Sequence, residues 1–582
     1  MPDARKASWL LGALALATCT RPASTPRTTD SGTLDATRPR PDAKVVDARA
    51  PRHEASAPSA PRTDILTQHV DNLRTGANLR ETSLTAASVA TMHTLFTAPV
   101  DGQIYAQPLV AHAVATESGT RDALFVESME DTAFAFDADD GTPLWRTTLG
   151  TPAASPRNIG GDNGILATPV IDRSTETMYL VIRDCDPNQP ADAPRCAHRL
   201  VALDIRTGLT RQTVPILGAV ATEDGGSVTF DPDAQWSRAG LLLESGRLYV
   251  AFTAGPNGQQ HEEGFVYHGW VFGYRVGALE APPSVYCSTP SGSGGGIWQS
   301  GTGLASDGAA VFFETGNRVI GTTTHPPSEF PPSPVDTENS VVRLPLPTTG
   351  GTITTYFDGR PYLPDGNVFQ YMGANDIDMS QSGPVLVPGT HQLVASSKAG
   401  IVYNVDRDTM ASVQTPLDVF TNLPLSAGQT LYVSNNAVAP KVSGAPVFWS
   451  PGTSDAEPPY GLLYLWPQSD FLKALQIDLG TGLMVTTPRL TADNPITSVG
   501  GMLFVSANGA THGTGLVWAT TTDVTGHGRV WAFDAETLAS LWSVTYPDYA
   551  KWVSPVVVNG KLYVASSAPG ATAPPAVIAF GP

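Results

Sequence analysis

From about residue 94 to 582 the chain alternates short apolar runs with Gly, Pro, Asn and Asp, the pattern of short strands joined by tight turns. The clearest predicted strands are PLVAHAVA (108–115), ALFVESM (123–129), TMYLVI (177–182), GRLYVAF (246–252), AAVFFET (309–315), HQLVASS (391–397), GLLYLWP (461–467), GLVWATT (515–521) and GKLYVAS (560–566). Many follow a strand whose start is rich in small and polar residues, as in ATPVID, RAGLLLE, QSGPVLV, SGAPVFW and VSPVVVN. The predicted unit is strand A, turn, strand B, loop, strand C, a tight turn, strand D. That last turn is clearest in AFDADDGTPLW at 135–145. Weaker copies are ALDIRTGLTRQ (202–212), LQIDLGTGLMV (475–485) and AFDAETLASLW (532–542). One turn stamped out at intervals of tens of residues marks a repeat architecture.

Eight units follow, near 104–150, 164–216, 234–290, 294–358, 378–420, 442–490, 500–546 and 552–582. The last lacks a fourth strand, and HTLFTAPV at 93–100 stands alone ahead of the first. The economical reading joins the two. The expected fold is all-β: an eight-bladed β-propeller of four-stranded antiparallel blades, closed by the N-terminal strand completing the last blade. Separate β-sandwiches fit poorly, because the units are too short.

Composition agrees: Gly 55, Pro 50 and only 15% charged residues suit many turns and short strands. The formal net charge is −19, and residues 1–63 are basic, leaving about −23 on the remainder. So acidic a body is a poor nucleic-acid partner, since phosphate contacts need clustered Lys and Arg. It is expected to be a monomer.

Ahead of the repeats lies a different kind of sequence. Residues 1–19 predict an export signal: Arg5 and Lys6, then the apolar run WLLGALALA, too short to span a bilayer. Leu16-Ala17-Thr18-Cys19 resembles the bacterial lipobox, which implies acylation of Cys19, although Thr18 replaces the usual Gly or Ala. Cleavage after Ala15-Leu16-Ala17, giving a freely secreted protein, is the other reading. Residues 20–63, with no aromatic residue and many prolines, predict a disordered linker of roughly 40 Å mean reach. The propeller domain occupies 64–582. The expected location is the cell envelope, on the periplasmic or surface side, held at a membrane by the lipidated Cys19. Cys185 and Cys196 bracket the loop CDPNQPADAPRC and are expected to form a disulfide in an exported protein, two reduced thiols being the alternative. Cys287 has no evident mate.

The AxDxxTGxxxW stamp resembles the tryptophan-docking motif of the eight-bladed quinoprotein (PQQ-type) β-propellers. Ala135, Asp137, Gly141 and Trp145 match it, as do Ala532, Asp534, Thr537 and Trp542; Ala202, Asp204, Thr207 and Gly208 match without the Trp. The stretches NLRTGANLRETSLT, VDGQIYAQPLV, YHGWVFGY and GGGIWQSG are similar to a bacterial subgroup of PQQ-like repeat proteins. The resemblance implies that each turn packs its Gly while the indole docks on the neighbouring blade. For the quinoprotein alcohol dehydrogenases it further implies PQQ, Ca²⁺ on a Glu, an Asn and an Asp, a catalytic Asp, and a disulfide of adjacent cysteines. This sequence has no adjacent cysteines, and that ligand set finds no matching positions.

Other chemistry is sparse. His261, Glu262, Glu263 and His268 lack HExxH spacing, so a solvated loop is the plainer reading than a metal site. Asp137, Asp139 and Asp140 fail the EF-hand spacing. No Ser stands in a GxSxG setting. In a propeller, strand A lines the central channel and its first residues ring one mouth. Those positions are Gln107, Thr168, Gln235, Arg238, Trp298, Gln299, Ser300, Gln381, Ser382, Lys551 and Trp552, polar groups mixed with aromatics, as in ligand sites. The alternative is that they hold channel water. The sequence favours a binding or scaffold protein without a catalytic constellation, its partner an envelope protein or a small polar ligand. The competing reading is a PQQ- and Ca²⁺-dependent oxidoreductase of alcohols or sugars.

Overall fold

The computed structural model describes residues 62–582 except 154–158, 160–161, 187, 190–193, 256–266, 318–334, 347–354, 359–376, 419–422, 425–440, 453–458, 486, 494–499, 524 and 572. Eight sheets of at least four strands follow one another, at 109–148, 170–215, 235–287, 305–358, 385–424, 447–491, 502–546 and 556–581. We number them blades 1 to 8, with strands A to D from the inside out. Blade 1 shows the plan: Leu109–Thr116, Gly119–Ser128, Thr132–Asp137 and Pro143–Thr148, each antiparallel to the next.

Both faces of a blade are covered by neighbouring blades, which is why strands B and C read as nearly unbroken apolar runs. On strand B of blade 1, Leu124 and Val126 pack with Val564 and Phe580 of blade 8. The alternate residues Ala123 and Phe125 pack with Leu180 and Val201 of blade 2. Each buried Leu, Val or Phe of this kind contributes about 1.5–3 kcal/mol.

Blade 8 is built from both ends of the domain. His93–Pro99 runs antiparallel to Ala576–Gly581, from His93 opposite Gly581 to Pro99 opposite Ala576. The pairing covers the last strand's free edge.

The repeated turn links adjacent blades. Asp137 Oδ1 accepts the Asp139 N–H (2.8 Å), and Gly141 takes φ +77° to close the turn. Trp145 donates from Nε1 to the Ile205 carbonyl of blade 2 (2.9 Å) and lies flat on Gly208, where a Cβ would meet the indole at 2.6 Å. Asp204 accepts from the Arg206 amide in the same way. Asp534 accepts from the Glu536 and Thr537 amides, and Trp542 meets Phe580 of blade 8 edge-on at 5.8 Å. In that copy Leu538 occupies the left-handed position, at φ +55°. Cys185 and Cys196, opposite each other on strands B and C of blade 2, form a disulfide; Cys287 is buried and free.

The polar segment 65–81 has a role that its sequence does not announce. It hydrogen-bonds to or beside the innermost strand of every blade in turn. Ile65 exchanges bonds with Val110 of blade 1, and the Leu66 carbonyl accepts from Ile171 of blade 2. The Asn72 amide donates to Leu243 of blade 3, and the Asn72 carbonyl accepts from Ser306 of blade 4. The carbonyls of Leu73, Thr75 and Gly76 accept from Leu386, Phe448 and Val505 of blades 5, 6 and 7. Asn78 donates to Val557 of blade 8. Arg74, fully buried, donates to Leu241 and Leu304 of blades 3 and 4 and back to Thr67 and Gln68. The segment is a hub that ties all eight blades together.

Candidate functional site

The site forms where strand A begins. Small residues there let eight chains converge, and Arg238 fills the space between them. Its guanidinium donates to the carbonyls of Tyr105 (3.3 Å), Leu166 (3.1 Å), Ser300 (3.0 Å) and Trp552 (3.4 Å), from blades 1, 2, 4 and 8. Bonds to four other blades place it near the axis. It also lies 5.4 Å from the Tyr105 ring and 5.7 Å from the Trp298 ring, within cation–π range. Burial pushes the Arg238 guanidinium down to about 10 and the Tyr105 phenol up to about 12, so Arg238 stays charged at neutral pH.

Eight of the eleven residues expected at an open mouth are instead buried: Gln107, Thr168, Gln235, Arg238, Gln299, Ser300, Gln381 and Ser382. Their polar groups bond to one another and to neighbouring groups of the framework. Thr168 Oγ1 accepts the Gln107 N–H (2.9 Å), and Gln107 Oε1 accepts the His69 N–H of the hub (3.2 Å). Gln381 donates to Ser300 (3.0 Å) and Ser443 (3.1 Å), and Ser300 Oγ donates to the Gln381 carbonyl (2.6 Å). Ser382 pairs with Ser396 (2.6 Å). Gln299 turns into its own blade, donating to Thr302 and Gly303 and accepting from Glu314. Gln235 lies opposite Ala254 at the end of strand B, its amide nitrogen facing the carbonyls of Thr253 (2.8 Å) and His268 (2.9 Å). Gln235 and Gln299 are therefore framework residues, and the narrowing of the ring leaves no free polar groups for them to offer.

What stays half-exposed is Trp298, Lys551 and Trp552. The two indoles meet edge to face at 5.5 Å, Trp236 lies beneath Trp298 at 6.3 Å, and Lys551 Nζ sits 3.9 Å from the Trp552 ring. This surface can do three things chemically: stack a ring or carbon skeleton, attract negative charge, and donate hydrogen bonds.

Buried ionisable groups border it. His69 of the hub contacts Ser554 Oγ through Nε2 (3.2 Å), and burial, with the Arg74 charge second, pushes it down to about 3. Glu127 and Glu314, at corresponding points of strand B in blades 1 and 4, are fully buried; burial raises Glu127 to about 8 and Glu314 well above the carboxylate range. Both are carboxylic acids at neutral pH. Each stands in its own blade, and no three His, Cys, Asp or Glu side chains among the described residues gather to hold a metal. His261, Glu262 and Glu263 lie outside the described residues; His268 is buried, its Nδ1 against Thr289.

Two features escaped the sequence reading. The hub was not legible, because most of its bonds to the blades use backbone groups that any sequence possesses. Lys398 and Lys441, near this site, carried one available signal: lysine is rare in the chain.

No protein-family model matches the sequence, and no curated protein is significantly similar to it. Solved structures are similar in fold. The quinohemoprotein alcohol dehydrogenase of Comamonas testosteroni matches with TM-score 0.56 at 14% identity, covering 90% of this chain and 81% of that one. Quinohemoprotein alcohol dehydrogenase ADHIIG of Pseudomonas putida HK5 gives 0.54 at 13%, covering 89% and 80%. A europium-containing methanol dehydrogenase gives 0.53 at 12%, covering 89% and 98%. At such identities the likeness is one of fold, and the chain shares the eight-bladed β-propeller of the quinoprotein dehydrogenases.

Proposed function

We propose that the protein is an exported, lipid-anchored β-propeller that works as a binding or scaffold protein, with the strand A end as its contact surface. One observation carries the reading: Arg238 is buried and bonded to the chains around it, while Trp298, Lys551 and Trp552 beside it stay partly exposed. Aromatic residues with one polar partner, set on rigid strand ends, suit recognition. The Cys19 acyl chains and the 20–63 linker would hold this surface at a membrane, facing an envelope protein or a small polar ligand.

Thermal-shift screening of envelope-derived compounds and peptides tests it. The expected result is a ligand that raises the Tm of the wild type but not of Trp298→Ala/Trp552→Ala. A ligand that raises both equally binds elsewhere and counts against the reading. Labelling with radioactive palmitate tests the anchor: incorporation should vanish in Cys19→Ser.

The PQQ- and Ca²⁺-dependent oxidoreductase has the shared fold in its favour. Titration with PQQ and Ca²⁺ separates the two: saturable quinone absorbance with dye reduction by alcohols or sugars would replace our reading.

A further inference from the structure

Arg74 and Arg238 are both fully buried, and burial lowers both guanidinium groups to about 10. Their surroundings differ. Every nitrogen of the Arg74 guanidinium donates to the protein, whereas Arg238 Nε has no acceptor. Arg74 belongs to the hub; Arg238 lies against indoles that are themselves half-exposed. The Trp298 ring is 5.7 Å from its guanidinium carbon, and the Trp552 ring meets that of Trp298 edge to face at 5.5 Å.

This cover is held and strained at once. Arg238 Nη2 donates to the carbonyls of Ser300 (3.0 Å) and Trp552 (3.4 Å), so one nitrogen latches both segments that carry the indoles. Lys551 Nζ, 3.9 Å from the Trp552 ring, adds a cation–π contact. Against these stands left-handed backbone: Gln299 (φ +49°), Ser300 (+45°) and Gly301 (+84°) in succession, and Trp552 itself at +62°. That region is disfavoured for a residue with a Cβ, most of all a bulky one, and persists only where the surroundings impose it. Trp552 Nε1, like Arg238 Nε, is shut from solvent without an acceptor. Backbone relaxation and two new hydrogen bonds to water favour moving the indoles aside, while the ring contacts and the latch hold them in place.

We infer that Trp298 and Trp552 form a gate over Arg238, closed in this structure, which opens without unfolding of the ring and brings the guanidinium within reach from the strand A end. Breaking the longest bond of the latch, Nη2 to the Trp552 carbonyl, frees that residue to leave the left-handed region, and the indole swings with it. Arg238 keeps its bonds to Tyr105 and Leu166 and so stays in place. The surface that a partner meets then depends on the gate: two indoles and Lys551 when it is closed, and the Arg238 fork as well when it is open. The inference rests on the reading of the strand A end as the binding surface, and adds the control of access to it.

Arginine labelling of the full chain with phenylglyoxal, each arginine followed by peptide mass mapping, tests it. Arg74, equally buried and equally basic, reports unfolding of the ring. The expected result is that Arg238 is modified roughly tenfold or more faster than Arg74 in the wild type, because a local opening costs less than unfolding. Trp552→Ala should speed Arg238 further and leave Arg74 unchanged, with Trp552→Phe, which keeps a ring, closer to the wild type. One shared rate for Arg238 and Arg74 in the wild type overturns the inference, as does an Arg238 rate that Trp552→Ala does not move. Where Trp552→Ala loosens the whole ring, Arg74 accelerates too, and the ratio of the two rates in the wild type and in Trp552→Phe decides. No ligand enters the assay, so a gate that fails here leaves the compound screen on Trp298→Ala/Trp552→Ala to judge the binding surface by itself.

Discussion

Single residues here set stability as much as function. Glu127 is fully buried, with neither carboxylate oxygen hydrogen-bonded. Its folded value, about 8, exceeds the ordinary 4.5. A group raised in the folded state gives its full stability below the unfolded value and loses it as pH climbs through the folded one. The Glu127 contribution should therefore fade between 4.5 and about 8. Glu127→Gln, which cannot ionise, should flatten that decline and be more stable than wild type by about 1–3 kcal/mol near the upper limit. Parallel Tm–pH curves would refute this. Arg74 is the opposite case: a charge worth burying because carbonyls of two blades and of the hub itself accept its bonds. Arg74→Met leaves those carbonyls unpaired and should cost roughly 3 kcal/mol or more in urea unfolding.

At the scale of the element, the repeated turn is where sequence and structure agree most closely. Asp and Gly shape it and Trp locks it to the next blade, all local chemistry with a local signature. Gly208→Ala tests the lock. Gly208 has φ +70° and lies under Trp145, whereas Gly246, at φ +71°, has open space within 4 Å of where an alanine methyl would stand. Gly246→Ala should cost only about 1 kcal/mol for conformation, and Gly208→Ala about 1–3 kcal/mol more for displacing the indole. Equal costs would mean that the indole contact is dispensable. The blades were legible because hydrophobic period and turn chemistry repeat. The site was legible only in part. Strand A starts could be located, but Gln107, Gln235 and Gln299 look alike in sequence, and which of them faces the axis depends on how tightly eight chains converge. The hub left still less trace, since bonds such as Phe448 N–H to the Thr75 carbonyl are independent of side chains.

For the whole molecule, the ring is held twice: at its rim by His93–Pro99 on Ala576–Gly581, and at its centre by the hub. Both come from the first forty residues of the domain. A chain starting at residue 101 should thus lose near-UV circular dichroism and bind the dye ANS, although it keeps strands A to C of every blade. A native-like spectrum would show that neither device is needed. The same architecture separates two ends: one carries the docking turns, the other the Trp298–Lys551–Trp552 surface. That second end as the working surface is the central claim, and site-specific photocrosslinking in the native envelope tests it most directly. A benzoylphenylalanine at Trp552 should yield a discrete adduct, and one at Leu209, 68% exposed on a docking turn, should not. Adducts from Leu209 alone, or equally from both, would contradict it.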